Sequence, residues 1–273
     1  MNKLYKALIY GNQVSLSVLE TTDLVNDAIK IHNLDGDAAK TLGCLLTAAA
    51  FMSGCLKSDK GAVSLTVKAG GDCGTASVSG DKDLHIRGYI DCACNGRLNG
   101  GYLTVIKEDG FSRPFVGASE LVGDSVSENL MQYFHMSEQV ETAVAIDAKI
   151  ENGKCTAAGG VIMQLLPDCS EENMDRAEER MQAFVNVAEV IEKFGADGIM
   201  EKYFAEDAKY TYEYFPEYKC NCSRKKIEGV LLPLGKSELY KIIEEEGKVN
   251  VHCHYCNTDY SFTREDIDKL LKL

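Results

Sequence analysis

Long apolar runs are what this sequence most clearly lacks. Its start, Met1-Asn2-Lys3-Leu4-Tyr5-Lys6, has no apolar stretch of the kind a secretory leader needs. The longest apolar stretch, around Leu45–Met52, is too short to span a bilayer and is interrupted by Thr47. The expectation is a cytoplasmic protein that does not enter membranes. Basic charge is also scarce: 29 Lys and Arg stand against 42 Asp and Glu, a formal net charge of -13. General affinity for nucleic acid or for an anionic membrane needs the opposite balance. Catalytic signatures are missing as well. There is no P-loop, no dinucleotide fingerprint after a strand and no His-Glu-x-x-His. Gly70-Gly71 and Gly159-Gly160 read more simply as turn and strand-packing glycines. Neither an internal repeat nor a low-complexity tract is visible.

Cysteine, by contrast, is plentiful: there are 11 in 273 residues. In a reducing compartment that favours metal binding or redox chemistry over a disulfide framework. Four of them form a constellation, Cys220-Asn221-Cys222 and Cys253-His254-Tyr255-Cys256. Two close pairs in a short module are what a tetrahedral zinc site needs, because each pair supplies two thiolates from one turn. His252 or His254 is an alternative ligand, although four cysteines already complete the tetrahedron. A permanent structural zinc is the common use of such spacing. The first pair, however, is Cys-x-Cys. A bridge across that spacing is strained, and strained exposed disulfides tend to be labile or regulatory. Lys219, Arg224, Lys225 and Lys226 would favour thiolates nearby; the same cluster also admits weak nucleic-acid contact. An enzyme with a structural zinc module and a zinc-ribbon adaptor both stay open from these residues alone. Cys44 and Cys55 are expected to be inert and buried. Cys92-Ala93-Cys94, with Cys73, offers three ligands without a fourth.

Periodicity divides the chain into three. Residues 1–168 read as an α+β core. Lys3–Tyr10 and Val14–Glu20 are expected strands joined at Gly11-Asn12, followed by helices over Asp23–His32, with Asp23 as N-cap, and Asp37–Leu56. Short strands then run to Leu166, with a helix at Glu128–Met136 and an Asn-Gly hairpin signal at Asn152-Gly153. Residues 169–218 read as a helical linker: apolar residues recur at spacings of three and four through Glu171–Phe194, Gly195 breaks the pattern, and tyrosines crowd around Pro216. Residues 219–273 form the small zinc module, with helices at Lys236–Glu246 and, capped by Thr263, at Arg264–Leu273.

Three motifs in this order resemble the redox-regulated thirty-three-kilodalton heat-shock chaperonin family. They are Tyr133-Phe134-His135-Met136-Ser137-Glu138-Gln139, the segment Ala157–Pro167 around Gly159-Gly160, and the two cysteine pairs with their surroundings. The resemblance runs essentially the whole chain. It implies no enzyme but an ATP-independent holdase, inactive while reduced, with one zinc ion per chain on Cys220, Cys222, Cys253 and Cys256. It further implies that oxidation forms the disulfides Cys220–Cys222 and Cys253–Cys256 and releases zinc. The module and linker then unfold and expose a surface for unfolding client proteins, and the active form is a homodimer. The apolar stripe and tyrosines of the linker are expected to dock on the core sheet in the reduced state.

Overall fold

The computed structural model describes residues 1–70, 74–91, 98 and 100–271. The readings made for Cys73, Cys92 and Cys94 fall outside the described residues. The chain divides into two compact units, Met1–Lys219 and Cys220–Leu273.

Unit 1 opens with β1 (Lys3–Ile9) and β2 (Val14–Glu20), turned at Tyr10, Gly11 and Asn12, all at positive φ. Two helices follow, α1 (Thr22–His32) and α2 (Gly36–Gly54). Asp23 is not the cap of α1: Thr21 holds that position without a side-chain cap, and its hydroxyl instead bonds Thr47 at 2.7 Å. The N–H of Leu24, in the first turn of α1, donates to Asn2 Oδ1 at 2.9 Å. Helix α2 begins earlier than expected because Asp35 accepts from Gly36 N–H. The strands β3 (Ala62–Ala69), β4 (Thr75–Asp81), β5 (His85–Ile90), β6 (Gly101–Glu108) and β7 (Phe115–Glu120) come next. Helix α3 (Val126–Tyr133) starts on a capping box between Ser125 and Glu128. The strands β8 (Thr142–Glu151) and β9 (Lys154–Leu165) are joined by Asn152 and Gly153, at φ 51° and 70°, a two-residue hairpin turn. Then come α4 (Glu171–Met181), α5 (Val187–Ile199), β10 (Lys209–Tyr214) and β11 (Glu217–Tyr218).

These strands make two sheets. One runs β10-β1-β2-β9-β8, the other β11-β5-β4-β3-β6-β7. Burial along β2 and β9 explains the layering. Leu19, Ala158 and Ile162 join a core with α1, α2 and the second sheet, whereas Leu16, Val18, Ala157, Val161 and Met163 face a core with α4 and α5. Successive side chains of a strand point to opposite faces, so the first sheet is covered on both. Helix α2 is buried on nearly every side, which is why its sequence is apolar all round rather than striped.

Residues 169–218, expected as a helical linker, are part of unit 1. Phe184, Val187, Ile191, Ala196, Ile199 and Phe204 bury against Tyr5, Ile9, Leu16, Val18 and Val161. Gly195 takes φ 62° and kinks α5, where the sequence placed a break. The tyrosine-rich segment contains strands that the sequence reading did not assign. The motif Tyr133–Gln139 closes α3 with a wider turn: Tyr133 is fully buried, Gln139 is left-handed at φ 54°, and Glu138 pairs with Lys107.

Unit 2 contains α6 (Arg224–Leu231), α7 (Gly235–Glu246), the hairpin β12 (Val249–Cys253) and β13 (Thr258–Phe262), and α8 (Arg264–Leu270). Its core is small: Leu231, Leu239, Ile243, Val249, Phe262 and Ile267. Thr263 caps α8 as expected, in a capping box with Asp266.

Candidate metal centre

An extended segment and a hairpin turn present the four thiols of unit 2. Cys220 and Cys222 lie in the extended segment just before α6, whose N-cap Ser223 accepts from Lys226 N–H. Cys253 ends β12 and Cys256 sits in the tight turn to β13, where Cys256 N–H donates to Cys253 O at 3.3 Å and Asn257 adopts φ 54°. The hairpin fixes the second pair; the start of α6 fixes the first.

All four sulfur atoms lie within 4.8 Å of one another. Cys220 Sγ is 3.7 Å from Cys253 Sγ, and Cys222 Sγ is 3.3 Å from Cys256 Sγ. Four ligands at about 2.3 Å from a tetrahedral zinc would stand about 3.8 Å apart. A disulfide would need about 2.05 Å, and all four are free thiols. The arrangement therefore could hold a metal ion, and thiolate donors suit zinc.

The surroundings stabilise negative charge unevenly. Burial works against the Cys222 thiolate, yet hydrogen bonds from the Tyr260 hydroxyl, 3.1 Å away, and from neighbouring thiols bring its pKa down to about 7. Burial pushes the Cys220 thiol well up, and Cys256 up as well. Arg224 is engaged within the unit: it pairs with Asp266 at 2.9 Å, donates to Ser261 O and lies over the Phe262 ring. His252, the alternative ligand, binds Asp259 at 2.7 Å, and neither it nor His254 belongs to the thiol cluster.

The remaining described cysteines behave differently. Cys44 and Cys155 are buried, and burial raises both to about 12. Cys55 corrects an expectation. It is exposed, at the C-terminal cap of α2, with Lys6 Nζ 3.6 Å from its sulfur. The helix ends at Gly54, two residues sooner than the sequence suggested, which leaves Cys55 as its C-cap. Asp81, Asp83 and His85 also converge at the β4–β5 turn. There Asp81 accepts the backbone N–H groups of Asp83 and His85, a sufficient structural role.

Comparison with known proteins gives one answer. A family model described as Hsp33 protein matches residues 2–263. A "33 kDa chaperonin" of Clostridium perfringens strain SM101 is 36% identical over 289 residues, covering 99% of this chain and 92% of that protein. One from Bacillus cereus strain AH187 is 33% identical, covering 98% of each. The crystal structure of the 33 kDa chaperonin (Hsp33 homologue) of Thermotoga maritima superposes with a TM-score of 0.84 at 26% identity, over 99% of this chain and 98% of that one.

Proposed function

We propose, from the premise that this chain belongs to the Hsp33 family and is a chaperone rather than an enzyme, that it is an ATP-independent holdase switched by its four clustered thiols. The observation that carries the reading is the cluster itself, Cys220, Cys222, Cys253 and Cys256 within 4.8 Å, in a unit whose apolar core, among the described residues, is six buried side chains. A core that small rarely sustains a fold alone. One zinc ion per chain, when bound by the four thiolates, supplies a cross-link worth on the order of 10–16 kcal/mol of apparent binding free energy, which is folding free energy here.

Oxidation removes the ligands. Two thiols and one peroxide give one disulfide and two waters, so two peroxides consume all four. The disulfides proposed are Cys220–Cys222 and Cys253–Cys256, the sequence neighbours among the three possible pairings. Without its ligands unit 2 loses its cross-link, and the switch extends to residues 169–218, which then expose apolar surface to unfolding client proteins. The activated form is proposed to be a homodimer. A reducing cytoplasm suits the resting state, since it keeps the thiols available. Among the described residues no helix is long and apolar enough to cross a membrane, and the net charge of -13 speaks against nucleic acid and anionic membrane as partners.

The test is zinc content and free thiols on one sample, before and after peroxide with mild heating, beside a client-aggregation assay without ATP. The expected result is one zinc lost and four thiols consumed as aggregation is suppressed. Retained zinc with unchanged activity would leave a structural staple and no switch.

A further inference from the structure

Both sheets of unit 1 end, on one side, in a strand taken from the same short segment. β10 is outermost beside β1 in the first sheet, and β11 is outermost beside β5 in the second. Only Phe215 and Pro216 separate the two strands. β10 runs antiparallel to β1, with Tyr214 opposite Leu4, Glu213 opposite Tyr5 and Tyr212 opposite Lys6. β11 runs parallel to β5, where Glu217 N–H donates to Leu84 O at 3.0 Å and Lys219 N–H to Ile86 O at 2.9 Å. Between these two residues, the Tyr218 side chain extends the pairing along β5. Its hydroxyl donates to Gly88 O at 2.8 Å and accepts from Gly88 N–H at 3.4 Å.

Side-chain burial anchors this cover only at its far end, where Pro216 is buried and Tyr214 and Tyr218 pack against the core; along β10 it contributes little. Every residue of β10 except Tyr214 is exposed, Tyr210 at 65% and Tyr212 at 59%. The ladder to β1 shifts register between Lys6 and Leu8, and Tyr210 sits at φ 53°. Elements with few buried contacts open first. The segment also ends at Lys219, directly before Cys220, so it is the first stretch of unit 1 to feel a loss of order in the thiol unit. Uncovered sheet edges are templates for any extended backbone, and strand addition draws affinity from main-chain hydrogen bonds rather than from a particular side-chain sequence.

We infer that the edges of β1 and β5 are client-binding strips, and that residues 209–218 are their built-in occupant. The clients are extended, strand-prone segments of unfolding chains, with the backbone seated where β10 and β11 lie. This deepens the holdase reading and rests on it. It explains breadth of clients by the only feature all of them share, the peptide group.

The experiment uses the oxidised, metal-free full chain and a labelled unfolded client. A peptide spanning 209–219 is the competitor. Two further versions carry backbone N-methyl groups at Glu217 and Lys219 and at alternate residues of 209–214, one version for each phase. Side chains are unchanged; ladder donors are lost. The expected result is displacement of client by the unmodified peptide, at least tenfold weaker for one or both methylated versions. Amides of Ile86 and Gly88, opened by oxidation, should regain protection from hydrogen exchange when client binds. Equal competition by all three peptides would mean capture by side chains and would overturn the inference. So would an unmodified peptide that fails to compete while aggregation is still suppressed, and the holdase reading would then survive. Absence of any aggregation suppression would remove the holdase reading and this inference with it.

Discussion

At the scale of single residues, two glycines and three cysteines show how position decides what a side chain can do. A Cβ on Gly159 would lie 2.0 Å from the carbonyl oxygen of Leu19 and 2.7 Å from Ile191. The first obstacle is backbone of the paired strand, so it has no rotamer to escape into. Gly159→Ala is expected to cost about 3 kcal/mol or more, read as a lowered denaturation midpoint. Gly229 in α6 meets nothing within 4 Å and has no positive φ. There, Gly→Ala should be neutral or stabilising by up to about 1 kcal/mol; a comparable loss at both sites would contradict the packing argument. For the cysteines, accessibility governs labelling. Cys55 is exposed, while Cys44 and Cys155 are buried with thiols raised to about 12. A maleimide added to the native protein should modify Cys55 within minutes and leave Cys44 and Cys155 untouched until denaturant is added, as peptide mapping would show. Thiol counts used to follow the switch must therefore start from a background that includes Cys55.

At the scale of elements, the contact between β1 and α5 carries a pH dependence. Lys3 Nζ is 2.6 Å from Asp197 Oδ1, and the Tyr5 hydroxyl donates to the same oxygen. The Lys3 ammonium first, then Tyr5, hold the Asp197 carboxyl below its usual range. A depressed folded pKa contributes stability above the unfolded value, near 3.9, and loses it as pH falls through the folded one. Asp197→Asn should therefore destabilise at pH 6–7, and the gap to the parent should close below about pH 4. The carboxylate is 69% exposed, so water screening limits the effect to about 0.5–1 kcal/mol. Chemical denaturation of both proteins at several pH values measures it; a gap that widens in acid would refute the assignment.

Elements also show what the sequence could and could not reveal. The hairpins at Gly11-Asn12 and Asn152-Gly153 were legible because turn residues announce themselves locally. The two cysteine pairs were legible because ligand spacing is local too, and they converge as their chemistry requires. Strand β10 was not. It alternates tyrosine with Thr and Glu while burying almost nothing, and its reason to be a strand is the β1 edge, some two hundred residues away. The parallel pairing of β11 is equally remote, and two residues carry no periodicity. Cys55 was misjudged because the helix ends two residues sooner than expected, and helix ends depend on caps that sequence locates poorly.

At the scale of the whole molecule, two units of unequal self-sufficiency share one chain. Unit 1 has two extensive cores, and unit 2 has, among the described residues, six buried apolar residues and a four-thiol cluster. Domains below about 70–80 residues seldom gain more than 3–5 kcal/mol from a single core. Metal removal should then act selectively. A chelator added under reducing conditions is expected to abolish the unfolding transition of unit 2, with loss of exchange protection in β12, β13 and α8, while β2 and β9 keep theirs. Re-added zinc should restore it. Persistence of unit 2 without metal would show that its core suffices, and the switch would lose its physical basis. The same chelated sample separates two causes that oxidation combines, the loss of metal and the formation of disulfides. If Ile86 and Gly88 lose protection on chelation alone, disorder in unit 2 is enough to loosen residues 217–219. If they stay protected until peroxide is added, the disulfides themselves do work on the segment beyond removing ligands, and the release of the sheet edges is a second step after the loss of metal.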